Sequence, residues 1–198
     1  MRKWMFAGGL LGACAIAGQA KAQTAPEFGA QGQLAISAER LFGIEYAHTS
    51  YSGGGYQSTT LIGFGWKYTQ SSFSQPRAGI DYFVVNHVSL GGAIGLYSAA
   101  GHGALNETGF IFAPRVGYAV DLGSVASFWP RIGITYYSHA DYHNLGFTGE
   151  ANFALFPRAN WAFLIIPHID AGPFGGRQNN PDFSEFVLGL NLGNMGVI

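Results

Sequence analysis

The chain has 198 residues, of which 11% are charged, 48% hydrophobic and 15% aromatic, and its formal net charge is −1. That balance gives no electrostatic basis for binding nucleic acid, and a single cysteine, Cys14, excludes a disulfide scaffold and a thiolate metal site. Few charges and 30 glycines, with no long apolar run beyond the N-terminus, point to strands rather than helices as the elements that meet lipid.

The first predicted element is a targeting segment. Met1-Arg2-Lys3 is a short basic start, Trp4 to Gly18 is apolar and small, and Ala20-Lys21-Ala22 has the small-x-small form of a cleavage site. Residues 1–22 are therefore expected to be a secretory signal peptide and residues 23–198 a single β domain. The apolar run falls short of the roughly 20 residues a spanning helix needs. Leu11-Gly12-Ala13-Cys14 has the look of a lipoprotein cleavage box, but the apolar run continues past it to the second site.

Beyond the signal the hydrophobic period is two, the period of strands with one apolar face. The first predicted strand runs from Gln33 to Ala47, with Leu34, Ile36, Phe42, Ile44 and Tyr46 on one face and Gln33, Ser37, Glu39 and Glu45 on the other. Arg40 falls on the apolar face, where only a bulge or a snorkelling side chain could accommodate it. Thr49 to Ser58, with Gly53-Gly54-Gly55, reads as a loop. Thr59 to Lys67 and Arg77 to Val85, separated by the polar stretch Thr69 to Gln75, read as one interrupted passage. In its second part Ile80, Tyr82 and Val84 face one way, and Arg77, Gly79, Asp81 and Phe83 the other.

Asn86-His87 is a tight turn into an alternating strand that carries Val88, Leu90, Ile94 and Leu96. Ser98 to Thr108 is a polar loop, Gly109 to Asp121 the next strand and Leu122-Gly123-Ser124 a turn. Ala126 to Ser138 presents Phe128, Pro130, Ile132, Ile134 and Tyr136 on its apolar face. After the loop His139 to Gly146, Phe147 to Phe156 keeps Glu150 and Asn152 on the polar face, and Pro157-Arg158-Ala159 turns the chain. The following strand sets Trp161, Phe163, Ile165, Pro167 and Ile169 against Ala162, His168 and Asp170. After Gly172 to Asp182, a last strand carries Phe186, Leu188, Leu190 and Leu192, and its parity persists to Ile198.

Eight strands result, with short turns alternating with long loops. Three echoes, Pro76-Arg77-Ala78-Gly79, Pro114-Arg115-Val116-Gly117 and Pro130-Arg131-Ile132-Gly133, put arginine and glycine on the polar face in mid-strand. The apolar face is the longer and more continuous one. In a soluble barrel that face lies inside; here the charged face belongs inside. The expected fold is all-β, an eight-stranded antiparallel up-and-down transmembrane β-barrel, with both termini and the short turns on the periplasmic side. Aromatics near the strand ends (Phe128, Trp129, Phe156 and Trp161 at one end; Tyr46, Tyr97, Phe110, Tyr136, Tyr137 and Phe147 at the other) suggest two interfacial girdles. Pro114, Pro130 and Pro167 are expected to mark bulges or kinks.

Eight strands leave a lumen that side chains can fill. Glu39, Arg77, Asp81, Arg115, Arg131, Glu150 and Glu185 are the candidate lumen residues, expected to form a buried ion-pair network that plugs the barrel. A three-residue turn at Gly123 would set Arg115 opposite Arg131, calling for carboxylates from other strands. The same charges could instead line a narrow polar conduit. Elsewhere the sequence offers little chemistry. His139-x-Asp141-x-His143 specifies no fourth metal ligand, Ser138 beside His139 lacks a nucleophile elbow, and Gly53-Gly54-Gly55 lacks the lysine and hydroxyl of a phosphate loop. No catalytic residue, cofactor or metal is assigned.

With its signal, strand count and loop asymmetry, segments such as Arg77-Ala78-Gly79-Ile80-Asp81-Tyr82-Phe83, and the amphipathic strand from Phe186 to Ile198, the chain resembles the small eight-stranded outer-membrane barrels of the OmpA transmembrane-domain, OmpX and opacity-protein type. It departs from them in ending on Ile198 rather than an aromatic, and it carries no peptidoglycan-binding domain. The resemblance implies the bacterial outer membrane and a non-enzymatic structural or surface-interaction role. Implied partners are the outer-membrane lipid and lipopolysaccharide, the barrel-assembly machinery and extracellular ligands at the long loops. The alternatives are a narrow channel or transporter for small solutes or hydrophobes, and a soluble lipocalin-like binding protein.

Overall fold

A computed structural model describes residues 27–64, 71, 73–99, 107–139, 142–177 and 180–198. The predicted signal peptide and Asp141 lie outside the described residues. The strands are β1 (Leu34–Tyr51), β2 (Tyr56–Phe64), β3 (Arg77–Val85), β4 (Val88–Ala99), β5 (Glu107–Tyr118), β6 (Val120–Asp121), β7 (Ala126–His139), β8 (Tyr142–Arg158), β9 (Trp161–Arg177) and β10 (Asn180–Val197).

All pairings are antiparallel between neighbours, and β10 returns to pair with β1, so the sheet closes on itself. The wall has eight staves because two of them are broken. β2 pairs with the upper half of β1 (Phe42 to Ser50) and β3 with its lower half (Leu34 to Glu39), forming one interrupted stave. β6 extends β5 past Ala119 along β7. The termini meet at the short-turn end, where Ile198 and Leu34 exchange backbone hydrogen bonds. That end is the periplasmic one in a barrel of this kind.

Alternation along each strand sorts the side chains as a membrane requires. Ile132 is 66% exposed and Ile94 58%, while Glu39, Arg40, Asp81 and Arg131 are buried. A water-soluble binding barrel would have these faces reversed.

Arg40 is not on the apolar face. A bulge between Ala38 and Phe42 places it at φ 56°, and its side chain is fully buried in the lumen. An arginine against lipid at mid-bilayer costs about 2–4 kcal/mol. A non-glycine residue in the left-handed region costs about 1–3 kcal/mol, and the inward position adds ion pairs. The bulge lies at the height where β2 gives way to β3.

The turn after β6 is also longer than expected. Leu122 N–H donates to the Ala126 carbonyl, Gly123 takes φ 129°, and Asp121 pairs with Ser127. The longer turn moves the register by two, so Arg115 faces Gly133, and Arg131 faces Gly117. The two guanidiniums are therefore staggered, each across from a glycine. A Cβ at Gly133 would lie 2.9 Å from Arg115 Cβ, and one at Gly117 3.0 Å from Arg131 Cγ. The echoes at Arg115 and Arg131 serve this cross-strand close approach, whereas Arg77 pairs with Glu39 and Gly79 with Ser37.

The predicted loops are shorter than their polarity suggested. β1 and β10 have 18 residues each, and β8 and β9 have 17, whereas β4 and β5 have 12. Above the lipid the outward residues turn polar while the ladder continues, so hydropathy fades before the strand does. Trp129 and Tyr137 point inward with odd parity and are buried rather than forming girdles, and Phe156 packs against the interior. No bulge occurs at Pro130 or Pro167: Pro130 pairs with Ala151, and Pro167 with Leu190, in unbroken register. At Pro114 the β5–β7 ladder skips Ala113 and Pro114 without changing register, consistent with a missing donor.

Candidate functional site

The lumen is layered. At the periplasmic end, Glu27 to Gln33 folds into the mouth as a turn, with Gly29 and Ala30 N–H donating to Gln33 Oε1 at 2.8 and 3.2 Å. Gly32 N–H donates to the Phe83 carbonyl and Phe83 N–H to that of Gln33, which stitches the turn to β3. The turn pushes Phe28 into the barrel, edge-on to Phe83 (5.2 Å between centroids) and Trp129 (5.3 Å). Ala35, Leu164, Ile166 and Met195 complete this apolar layer, and Trp129 Nε1 donates to Ser89 Oγ at 3.1 Å.

Above it lies the charged layer. Arg115 crosses the lumen from β5 and grips Glu39 of β1 with both terminal nitrogens, at 2.8 and 2.7 Å. Its Nε and Nη2 also donate to Asp81 of β3, at 3.0 and 2.5 Å. Arg131 of β7 donates to Glu39 at 2.8 Å, pairs with Glu150 of β8 at 2.7 Å, and stacks over the Trp129 ring with its guanidinium carbon 4.5 Å from the centroid. Bidentate arginine–carboxylate geometry is the strongest such pairing available to side chains. The structure thus brings together Glu39, Asp81, Arg115, Arg131 and Glu150.

Two of the seven candidates are placed differently. Arg77 directs Nη2 to the Phe73 carbonyl at 2.9 Å and Nη1 to Thr135 Oγ1 at 3.4 Å. Glu185 lies in the upper lumen, where it accepts from Asn144 Nδ2 at 3.0 Å.

The cluster also extends beyond the candidates. Arg40 donates to Asp170 at 2.9 and 3.2 Å and to Glu150 at 3.3 Å, and it bonds the Phe73 carbonyl. Asp170 accepts from Thr148 Oγ1 at 2.6 Å and lies 2.8 Å from His168 Nδ1. Glu45 accepts from Asn191 Nδ2 at 2.6 Å. The adjacent charges Glu39-Arg40, which cannot both face inward in a regular strand, were the signal for Arg40.

The upper layer contains Ser71 and Phe73 to Pro76, the described part of the chain between β2 and β3. Ser71 and Phe73 to Pro76 lie buried inside the wall, not in it. The fully buried Phe73 ring packs with Ala47 and Val187, and a Cβ at Gly146 would lie 2.6 Å from its Cζ. Its carbonyl receives Arg40 and Arg77, so the segment caps the charged layer. Beside it, Tyr142 stacks on Phe183 at 4.8 Å and meets Tyr137 edge-on at 5.7 Å. Among the described residues no cluster of three or more histidine, cysteine, aspartate or glutamate side chains is arranged to hold a metal ion.

No protein-family model matches the chain, and no curated protein does. Solved structures do. Neisserial surface protein A is similar at 11% identity with a TM-score of 0.50, over 84% of this chain and 99% of that one. The outer membrane protein AlkL, solved in lipid bilayers, is similar at 12% and 0.50, over 92% and 97%. The N-terminal β-barrel domain of Pseudomonas aeruginosa OprF gives 15% and 0.48, over 85% and 98%. Likeness at this identity concerns the fold alone, and that of the first two structures agrees with the closed sheet described above. The chain is a transmembrane β-barrel with the small, eight-stranded fold of the outer-membrane proteins.

Proposed function

We propose that the protein is a non-conducting, non-enzymatic barrel of the outer membrane with a structural or surface-interaction role, and that its lumen is closed by the ion-pair network. One observation carries the reading: at mid-height the lumen cross-section is occupied by Arg40, Arg115 and Arg131, each bound to carboxylates from other staves. Arginines held by carboxylates across a lumen that side chains can fill support a closed cross-section. The apolar Phe28 layer below and the Phe73 segment above support the same reading. Surface interaction then falls to the strands that rise above the lipid.

A second reading, passage of small hydrophobes through the side of the wall, is favoured by one feature. Among the described residues β2 pairs only with β1, and β4 pairs with β3 and β5, so no ladder joins β2 to β4.

Planar-bilayer recordings of the refolded protein test the first reading, with liposome uptake of octane as a second arm. Absence of steady channel currents and of octane uptake above protein-free controls is expected. Persistent single-channel currents would sink the closed-lumen reading, and octane uptake without currents would move the assignment to the lateral route.

A further inference from the structure

At the short-turn end, three pieces of chain enclose a cleft of about 610 Å3 that takes no part in the lumen network. Its walls are Glu27 and Phe28 of the closing turn, the turn from β6 into β7, and the end of β8 at Phe156 and Arg158. That volume falls within the roughly 300–1,000 Å3 of small-molecule sites. The walls are fixed by hydrogen bonds. Phe156 N–H donates to the Val125 carbonyl at 2.8 Å, which ties the end of β8 to the β6–β7 turn. Gln33 Nε2 and Ala30 N–H donate to the Glu27 carbonyl at 3.0 and 3.2 Å and hold the third wall.

Three chemistries meet in this cleft. The Glu27 carboxyl hydrogen-bonds the Asp121 side chain, whose Oδ1 also accepts from Ser127 Oγ at 3.1 Å. Phe28 and Phe156, with ring centroids 5.2 Å apart, supply an apolar side. Arg158 is exposed and forms no ion pair among the described residues.

Two carboxyls bond each other only by sharing a proton, which is why Glu27 is held above the usual carboxylate range. An ammonium group can take that proton's place, because it donates three hydrogen bonds and can bridge both carboxylates. Calcium fits less well. It takes six to eight oxygen ligands, and among the described residues no third acidic or histidine side chain is grouped with this pair. A bare polyamine would leave Arg158 without a partner, beside a further cation. A ligand that also carries a carboxylate would meet the guanidinium in paired hydrogen bonds, and an apolar substituent between its two ends would lie against the phenyl rings.

We propose that this cleft binds a small zwitterion of the α-amino acid or short-peptide class, with its ammonium on Glu27 and Asp121, its carboxylate on Arg158 and its apolar side chain against Phe28 and Phe156. The site lies outside the lumen, so it rests on the barrel fold and not on the closed-lumen reading. Binding releases the shared proton to the buffer, so affinity rises with pH through the raised Glu27 value. His87, the other charged group acting on Glu27, repels an ammonium once protonated and works in the same direction.

The test is calorimetric titration of the protein in lipid nanodiscs, after a boiled-versus-unboiled gel has shown whether each variant is a folded barrel. The probes are leucine, leucyl-leucine, the N-acetyl and amide forms of leucyl-leucine, cadaverine and calcium. Leucine or leucyl-leucine is expected to saturate one site, and the tighter of the two names the free amino acid or the peptide as the source. N-acetylation and amidation should each weaken binding about tenfold or more. Asp121→Asn should weaken it by a similar factor, and Arg158→Gln should weaken leucyl-leucine but not its amide. Binding should be tighter at neutral than at mildly acidic pH, with a proton released. A folded wild type that binds neither leucine nor leucyl-leucine, or a folded Asp121→Asn that binds as well as wild type, overturns the site. The amide or cadaverine bound as tightly as leucyl-leucine overturns the carboxylate end, and calcium bound more tightly than either zwitterion overturns the ligand class. A pH-independent affinity overturns the exchange of proton for ammonium. Absence of the gel shift in wild type overturns the barrel reading, and this inference with it.

Discussion

Arg115 is the residue on which the charged layer turns, because the two carboxylates it hydrogen-bonds come from staves that are not its neighbours. Glu39 is on β1 and Asp81 on β3, while β5 pairs only with β4 and β7. Removing one partner of a buried pair leaves its charge stranded, at a cost of about 3–5 kcal/mol. Arg115→Met should therefore lower the temperature at which the folded band is lost on a gel. Arg77→Met should lower it less, because Arg77 bonds a carbonyl and a hydroxyl rather than carboxylates. No shift for Arg115→Met would show that the network contributes nothing to stability, and equal shifts would show that its carboxylate pairs count for no more than neutral partners. Arg40 makes a related point: lipid on one side and carboxylates on the other outweigh the backbone cost of φ 56°.

The informative elements are those that leave the regular ladder. The Glu27–Gln33 turn closes the periplasmic mouth, and at its start the Glu27 carboxyl is held above the usual carboxylate range by its hydrogen bond to the Asp121 side chain and by that group's charge, opposed by His87. A raised acid pKa in the folded state means that the protonated form is favoured by folding. The stabilisation is therefore present below the ordinary glutamate value of 4.5 and is lost as pH rises through the raised value. After correction for intrinsic rates, the Gly29 and Ala30 amides should exchange more slowly at mildly acidic than at neutral pH, and Asp121→Asn should flatten the difference. A pH-independent protection in wild type would remove Glu27 from the closure. The strands and their faces were legible in the period-two pattern, because each stave meets lipid on one side and charge on the other. Phe28 and the Phe73 segment were not, since a chain that folds into a lumen has no periodicity to betray it. The register between Arg115 and Arg131 was missed because it depends on turn length, which polarity does not encode.

At the scale of the molecule, the apolar outside and charged inside require a bilayer. The protein should fractionate with outer membranes, and its unboiled form should migrate differently from the boiled one, because a closed ladder resists detergent. A soluble periplasmic protein without that shift would mean that the two faces of the sheet are reversed. The wall is also uneven, with β8, β9, β10 and β1 taller than β4 and β5.

The seam between the first and last strands has a further consequence for biogenesis. β1 bonds β10 from Ala35–Val197 up to Tyr51–Phe183, a pairing that cannot begin until nearly the whole chain has been made. Asp81 lies in the same row as Arg115 across Gly91, but until the staves curve into a cylinder Arg115 cannot reach Glu39, and a half-built sheet entering lipid would bring that carboxylate with it unpaired to Arg115. Cross-lumen pairing therefore works as a checkpoint: it penalises insertion of partial sheets and rewards only the finished cylinder, so curvature and membrane entry are driven to occur together.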